Sequence, residues 1–282
     1  MNGRIVLTLA ALTVQEVARR KVLRALFVLT AVLLALSAWG FSRIDAEFGG
    51  LTSGESRLVA STVLNLVMFG LSLIAALGTA FLAGPTLAGE IESGQALAIL
   101  ARPIRRSVVL VGKWLGLVIF GTGFVVLAGL AQFVIVWVTL DYWPPEPVTG
   151  LALLGAQTTV LLTLGLLLST AVSPMASGIV AVGLFCATWV AGVVGGIGAA
   201  LDNDGVARVG SVSRMILPTD GLWRGAMRSF QYPGLLDSLT ADFQGHPFLG
   251  AAPLTLTYLT WTAVWIALML GLAGLVFSRR DL

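Results

Sequence analysis

The chain has 282 residues, of which 57% are hydrophobic and 11% charged, with a net charge of +3. A soluble domain carries roughly a quarter charged residues, so this composition excludes an ordinary soluble enzyme and points to an all-α polytopic membrane protein. The basic excess does not imply nucleic acid either, because Lys and Arg fall in short segments between apolar runs, where the positive-inside rule accounts for them.

The chain opens on a basic amphipathic stretch, residues 4–24. Arg4, Thr8, Gln15 and Arg19 share one stripe and Val6, Ala10, Val14 and Val17 another, with Leu9 and Leu12 blurring the boundary. Such a helix lies in the headgroup layer beside the first span. The basic residues run on to Arg24, too far for the n-region of a cleaved signal peptide, and no clean A-x-A site follows.

A membrane span needs about 20 mainly apolar residues. Residues 22–41, 59–84, 114–140, 151–172, 175–200 and 254–277 meet this, predicting six transmembrane helices in one domain without repeat or linker. Arg4, Arg19, Arg20 and Lys21 precede the first span and Arg24 stands in its first turn, Arg102, Arg105, Arg106 and Lys113 lie between the second and third, and Arg279 and Arg280 follow the last. These segments share one side, which the positive-inside rule assigns to the cytoplasm together with both termini. Ser173-Pro174 is the only break between the fourth and fifth spans and predicts a tight helical hairpin. Trp39, Trp137 and Trp143 fall at the expected outer interface and Trp114 at the inner one.

Residues 201–253 fall on the outer side, re-entrant or along the surface. After Pro218, Thr219 is placed to cap a short helix with Trp223, Ala226, Met227 and Phe230 on one face and Arg224 and Arg228 on another, resting on or dipping into the outer leaflet. Cys186, the only cysteine, sits in an apolar run and reads as a small core residue that forms no intrachain disulfide.

Several chemistries lack their residues. No G-x-x-x-x-G-K-[ST] occurs, so the chain has no P-loop for a nucleotide. The lone histidine, His246, rules out H-E-x-x-H, and Ser211 and Ser213 have no intramembrane base to activate them. No CxxC or carboxylate cluster predicts a metal site. An intramembrane enzyme therefore has no candidate reactive group. The predicted spans also lack the Asp, Glu or His that an ion-coupled transporter places in the bilayer. Their clear polar residues are Asn65, Gln132 and Gln157, which either bond helix to helix or line a translocation path. An ion-coupled secondary transporter or channel remains the alternative, but uphill work needs a partner to supply energy.

The charged stretch between the second and third spans, residues 85–113, concentrates what the rest of the chain lacks. The second span is expected to continue past Pro85 as a helix bearing Glu90 and Glu92 and to break at Gly94. A short helix, 95–101, then ends at Pro103, with Arg102, Arg105 and Arg106 anchoring the return to the membrane. Charges cost several kcal/mol in lipid, so this segment must project into water.

The run GEIESGQALAILARPIRRSVVLVGKW resembles the coupling segment of ABC transporter permeases of the ABC-2 type, which read G-E-x-E-x-G, an apolar helix, R-P-[IV]-x-R and G-K. Gln95 stands where members commonly carry Thr or Ser. Ala18-Arg19-Arg20-Lys21 is similar to the family's basic elbow helix, Leu217 to Arg224 to the segment before its last span, and Phe277 to Leu282 to its usual ending. The resemblance implies a six-span permease of a prokaryotic inner membrane, an exporter component or a force-transmitting subunit, without ATPase activity. It binds no cofactor; ATP and Mg²⁺ sit on a separate ATP-binding subunit, and a second permease copy or relative pairs with it among membrane lipids. Carried over, Glu90, Glu92, Gly94, Arg102, Pro103, Arg105 and Arg106, with Arg19 and Arg20 of the elbow, would contact that ATPase.

Overall fold

A computed structural model describes residues 2–48, 54–92, 105–232, 248 and 254–279. Every regular element among them is an α-helix: α1 (Asn2–Arg19), α2 (Lys21–Phe48), α3 (Gly54–Glu92), α4 (Arg106–Leu140), α5 (Pro147–Ala171), α6 (Pro174–Ala200), α7 (Asp204–Ile216), α8 (Thr219–Phe230) and α9 (Leu256–Arg279). Six are long and apolar enough to cross a membrane: α2, α3, α4, α5, α6 and α9. They coincide with the six predicted runs. The one large shift is α4, which starts at Arg106 rather than 114, because Val108 to Val111 extend the apolar face inward.

α5 and α3 form the centre of the bundle, while α2, α6 and α9 turn mostly apolar, exposed residues outward. Backbone groups in hydrocarbon must be paired inside the segment, which is why each crossing is a helix. Polar side chains then fasten helix to helix. Gln132 Nε2 of α4 donates to Ser37 Oγ of α2 at 2.6 Å, and Ser72 of α3 donates to Gln157 Oε1 of α5 at 2.9 Å. Trp114 Nε1 of α4 donates to Thr163 of α5 at 2.9 Å, so this tryptophan faces the bundle more than the lipid boundary.

α1 matches the amphipathic reading. Ala10, Thr13 and Val17 are buried, whereas Arg4, Thr8, Gln15 and Arg19 are exposed. It lies across the first turns of α4, where Gly112 and Gly116 admit it: a Cβ on Gly116 would stand 2.6 Å from the Ala10 carbonyl oxygen. Leu9 faces Gly112, and Leu12 is exposed, so each of the two ambiguous leucines takes a different side. Ser173 alone separates Val172, the C-cap residue of α5, from Pro174 at the start of α6, as the tight turn requires.

Residues 201–232 differ from a surface loop. Asp202, with a left-handed φ of 51°, turns the chain at the end of α6, and α7 runs back antiparallel along it. The two backbones nearly touch at Gly195 and Gly210, where a Cβ on Gly195 would fall 2.5 Å from the Gly210 Cα. After Leu217-Pro218 the chain reverses again, and α8 climbs to the α4–α5 turn. Thr188, near the middle of the 27-residue α6, touches Thr219 at 3.1 Å. With 1.5 Å per residue, the α7–α8 turn lies about 18 Å along α6 from the end where α7 begins. The pair is thus a helical hairpin folded back into the bundle. Thr219 is its first helical residue rather than the cap; Pro218 holds the cap position, and the Thr219 hydroxyl serves Thr188 instead. Leu222, Trp223, Ala226, Met227 and Phe230 are buried in the main core, so α8 packs inside the bundle rather than on the leaflet.

Cys186 is also corrected: it is exposed on α6. Inside an apolar span, apolar sequence alone does not separate the packed face from the lipid face.

Candidate functional site: a charged end of the bundle and a buried ion cluster

The first candidate site is the end of the bundle where the last turns of α3, the start of α4 and the end of α9 meet, with α1 alongside α4. Arg105 is the exposed N-cap residue of α4, and its carbonyl accepts the N–H groups of Val108 and Val109. Arg106 Nη1 donates to the carbonyls of Phe277 and Ser278 at 3.1 and 3.3 Å, with the guanidinium 6.0 Å from the Phe277 ring centroid. A helix leaves its last carbonyls unpaired and its C-terminus partly negative, so a guanidinium there answers both needs. Lys113, expected in the loop, is buried two turns inside α4, and its Nζ donates to the Thr86 carbonyl of α3 at 3.2 Å. Arg19 is exposed at the end of α1, and Arg20 pairs with Glu16 at 2.6 Å. Glu90 and Glu92 fall in the last turn of α3. Gly94, Arg102, Pro103 and the 95–101 helix lie outside the described residues, as does His246. The fold therefore places Arg105 and Arg106 beside the ends of α3 and α9 at one end of the bundle, whereas Arg19 and Arg20 lie at the far end of α1, beyond its contacts with Gly112 and Gly116.

The three interior amides do not converge on a path. Gln132 and Gln157 join different helix pairs, and Asn65 Nδ2 donates to the Phe248 carbonyl at 3.0 Å. That carbonyl also accepts Gln231 Nε2 at 2.9 Å, while the Phe248 ring contacts Phe69 and Trp189. All three amides are fully buried and serve as fasteners between elements.

The second candidate is an ion cluster in the helical hairpin that the sequence reading missed. Asp220, 1% exposed at its side chain, accepts Arg224 Nε at 2.9 Å and stands 3.4 Å from Arg214 Nε. Gly192 of α6 makes the room: a Cβ there would sit 2.1 Å from Asp220 Oδ2. The acid is the second residue of α8, where the helix dipole also favours negative charge. The six spans do lack acids, yet this carboxylate reaches comparable depth through the hairpin.

Around this cluster, α9 supplies three caps to α7. Tyr258 Oη donates to the Arg214 carbonyl at 3.2 Å, Trp261 Nε1 to Met215 at 3.2 Å and Trp265 Nε1 to Ile216 at 2.8 Å. These are carbonyls of the last turn of α7, which no helical N–H can reach. The spacing Tyr258, Trp261, Trp265 puts all three on one helical face and was visible in the sequence, as was Asp220 four residues before Arg224. No protein-family model matches this chain, and no curated protein matches it.

Proposed function

We propose that this chain is the membrane subunit of an ABC-2-type transporter, driven by a separate ATP-binding subunit that docks on the inner charged end. The observation that carries the reading is the segment from Glu90 to Lys113, whose motif order resembles that family's coupling segment. The amphipathic α1 beside the first turns of α4, and Arg106 joined to the end of α9 next to the exposed Arg105, support it, since a docking partner would meet that end of the bundle. On this reading that end is cytoplasmic and the membrane a prokaryotic inner membrane. The outward apolar residues of α2, α6 and α9 face lipid and a second permease subunit. Arg105 and the two glutamates make ion pairs with the ATPase, which set partner and geometry more than affinity. ATP-driven closure of the partner then displaces the inner helix ends, moving a hydrophobic or amphipathic substrate or transmitting force.

Asp220 is the observation that favours an ion-coupled transporter. A carrier acid, however, must gain and lose its ion, and this one is held between two arginines. Reversal to Glu90→Lys and Glu92→Lys tests the proposal: a Walker-type ATPase co-purifying with the wild type should be lost, with the variant still inserted. Retention of that ATPase by the variant, or labelling of Arg105→Cys from the outer side, would refute the docking surface.

A further inference from the structure

At the outer end of the bundle a cavity of about 240 Å³ opens between the start of α5, the end of α8 and the start of α9. Its frame is held by bonds to two carbonyls of the α8 end: Glu146 N–H donates to the Ser229 carbonyl at 3.1 Å, and the Tyr142 hydroxyl donates to the Phe230 carbonyl at 2.6 Å. Glu146 and Arg228 are therefore brought to the same cavity by fixed helix ends, one acid and one cation, with Thr149 and Gln231 beside them. The remaining wall is apolar. Leu153, Leu254 and Leu259 line it, and Gly225 leaves space for Leu254, whose Cδ1 would lie 1.8 Å from a Cβ there. The apolar side runs outward onto α9, where Leu256 is 77% exposed.

We infer that this cavity binds a zwitterionic group carrying a phosphate and an ammonium, presented as the headgroup of a membrane phospholipid. Arg228 takes the phosphate; it already has a partner within the protein, and the five N–H donors of a guanidinium serve more than one acceptor. Glu146 takes the ammonium. Three features favour a lipid over a free zwitterion. The volume lies below the 300–1,000 Å³ of sites that enclose a whole small molecule. The leucines give an acyl chain a continuous route to the lipid-facing side of α9. The level is also right: Trp143, three residues before Glu146, packs edge-on to Trp137 at 6.4 Å, both are half-exposed, and tryptophans gather where headgroups meet acyl chains.

Glu146→Gln is a clean probe, because the frame uses the Glu146 backbone and its side chain makes no capping bond. The full-length protein is equilibrated in mixed micelles of phosphatidylethanolamine and phosphatidylglycerol, and retained lipid is counted by native mass spectrometry. The wild type should prefer phosphatidylethanolamine by about fivefold, as one added ion pair allows, and Glu146→Gln should bring the ratio near unity. Glu146→Lys should reverse it toward phosphatidylglycerol. Free phosphoethanolamine is added in a second arm and should not displace the lipid at concentrations where lysophosphatidylethanolamine does. Equal retention of both lipids by the wild type, or a preference unchanged in Glu146→Gln, overturns the site. Displacement by phosphoethanolamine as effective as by the lysolipid overturns the lipid assignment.

Discussion

Replacing Asp220 by Asn is expected to destabilise the protein by about 3 kcal/mol. The side chain is nearly isosteric, so the effect is electrostatic. It removes the carboxylate that Arg224 reaches at 2.9 Å and Arg214 at 3.4 Å, leaving two guanidiniums without their shared anion. Breaking a buried ion pair costs about 3–5 kcal/mol because the remaining charge is stranded. The lower end applies, since the Arg214 and Arg224 side chains keep 32% and 19% of their exposure. At roughly 2–4 °C per kcal/mol, the thermal midpoint in detergent should fall by about 6–12 °C. The same change in an Arg224→Met background should cost less, because one stranded charge is already gone. A fall of less than about 2 °C, or an equal fall in both backgrounds, would show that the cluster is not held by charge pairing.

Other outcomes follow from single contacts. Trp265→Phe keeps most of the apolar body but orphans the Ile216 carbonyl; the loss should be about 1–3 kcal/mol, read as a lower thermal midpoint. Gly116→Val drives a side chain into α1, whose Ala10 carbonyl oxygen would be 2.6 Å from the new Cβ; overpacking of about 1–3 kcal/mol should loosen α1 and quicken its proteolysis while the spans stay intact. Cys186, exposed on α6, should react quickly with a lipid-soluble maleimide and slowly with a membrane-impermeant one. Similar rates for both would place that face of α6 in water.

The six spans were legible because a crossing helix needs a long apolar run, a property of composition along the chain. The amphipathic face of α1 was legible for a related reason: Arg4, Thr8, Gln15 and Arg19 alternate with Val6, Ala10 and Val17 at helical spacing. The hairpin was harder. α7 and α8 carry Asp204, Arg208, Arg214, Asp220, Arg224 and Arg228, which by composition belong in water. Its depth comes instead from pairings distant in sequence, namely Gly195 with Gly210, Gly192 with Asp220, and Trp265 with Ile216. Lys113 misled for the same reason, since a charge that donates to Thr86 inside the bundle looks like a loop residue until the partner is known. Along the apolar stretches of a span, which face packs is not written in hydropathy, and Cys186 was assigned to the wrong one.

α9 touches both candidate sites. Its C-terminal end is fastened by Arg106 through the Phe277 and Ser278 carbonyls, and its N-terminal half caps α7 through Tyr258, Trp261 and Trp265. A helix is stiff along its axis, so α4 cannot shift against α9 at the C-terminal end without breaking the Arg106 bonds or carrying α9 with it. If α9 moves, three side chains hold the end of α7, and α7 holds Arg214 against Asp220. The cluster is then the place where axial motion becomes a change in charge contact, because its longer arm, 3.4 Å to Arg214, is the one tied to α7, while the 2.9 Å bond to Arg224 stays within α8. Motion begun at the C-terminal end of α9 would therefore open the Arg214 contact before the Arg224 contact, and the hairpin would part between its own two helices.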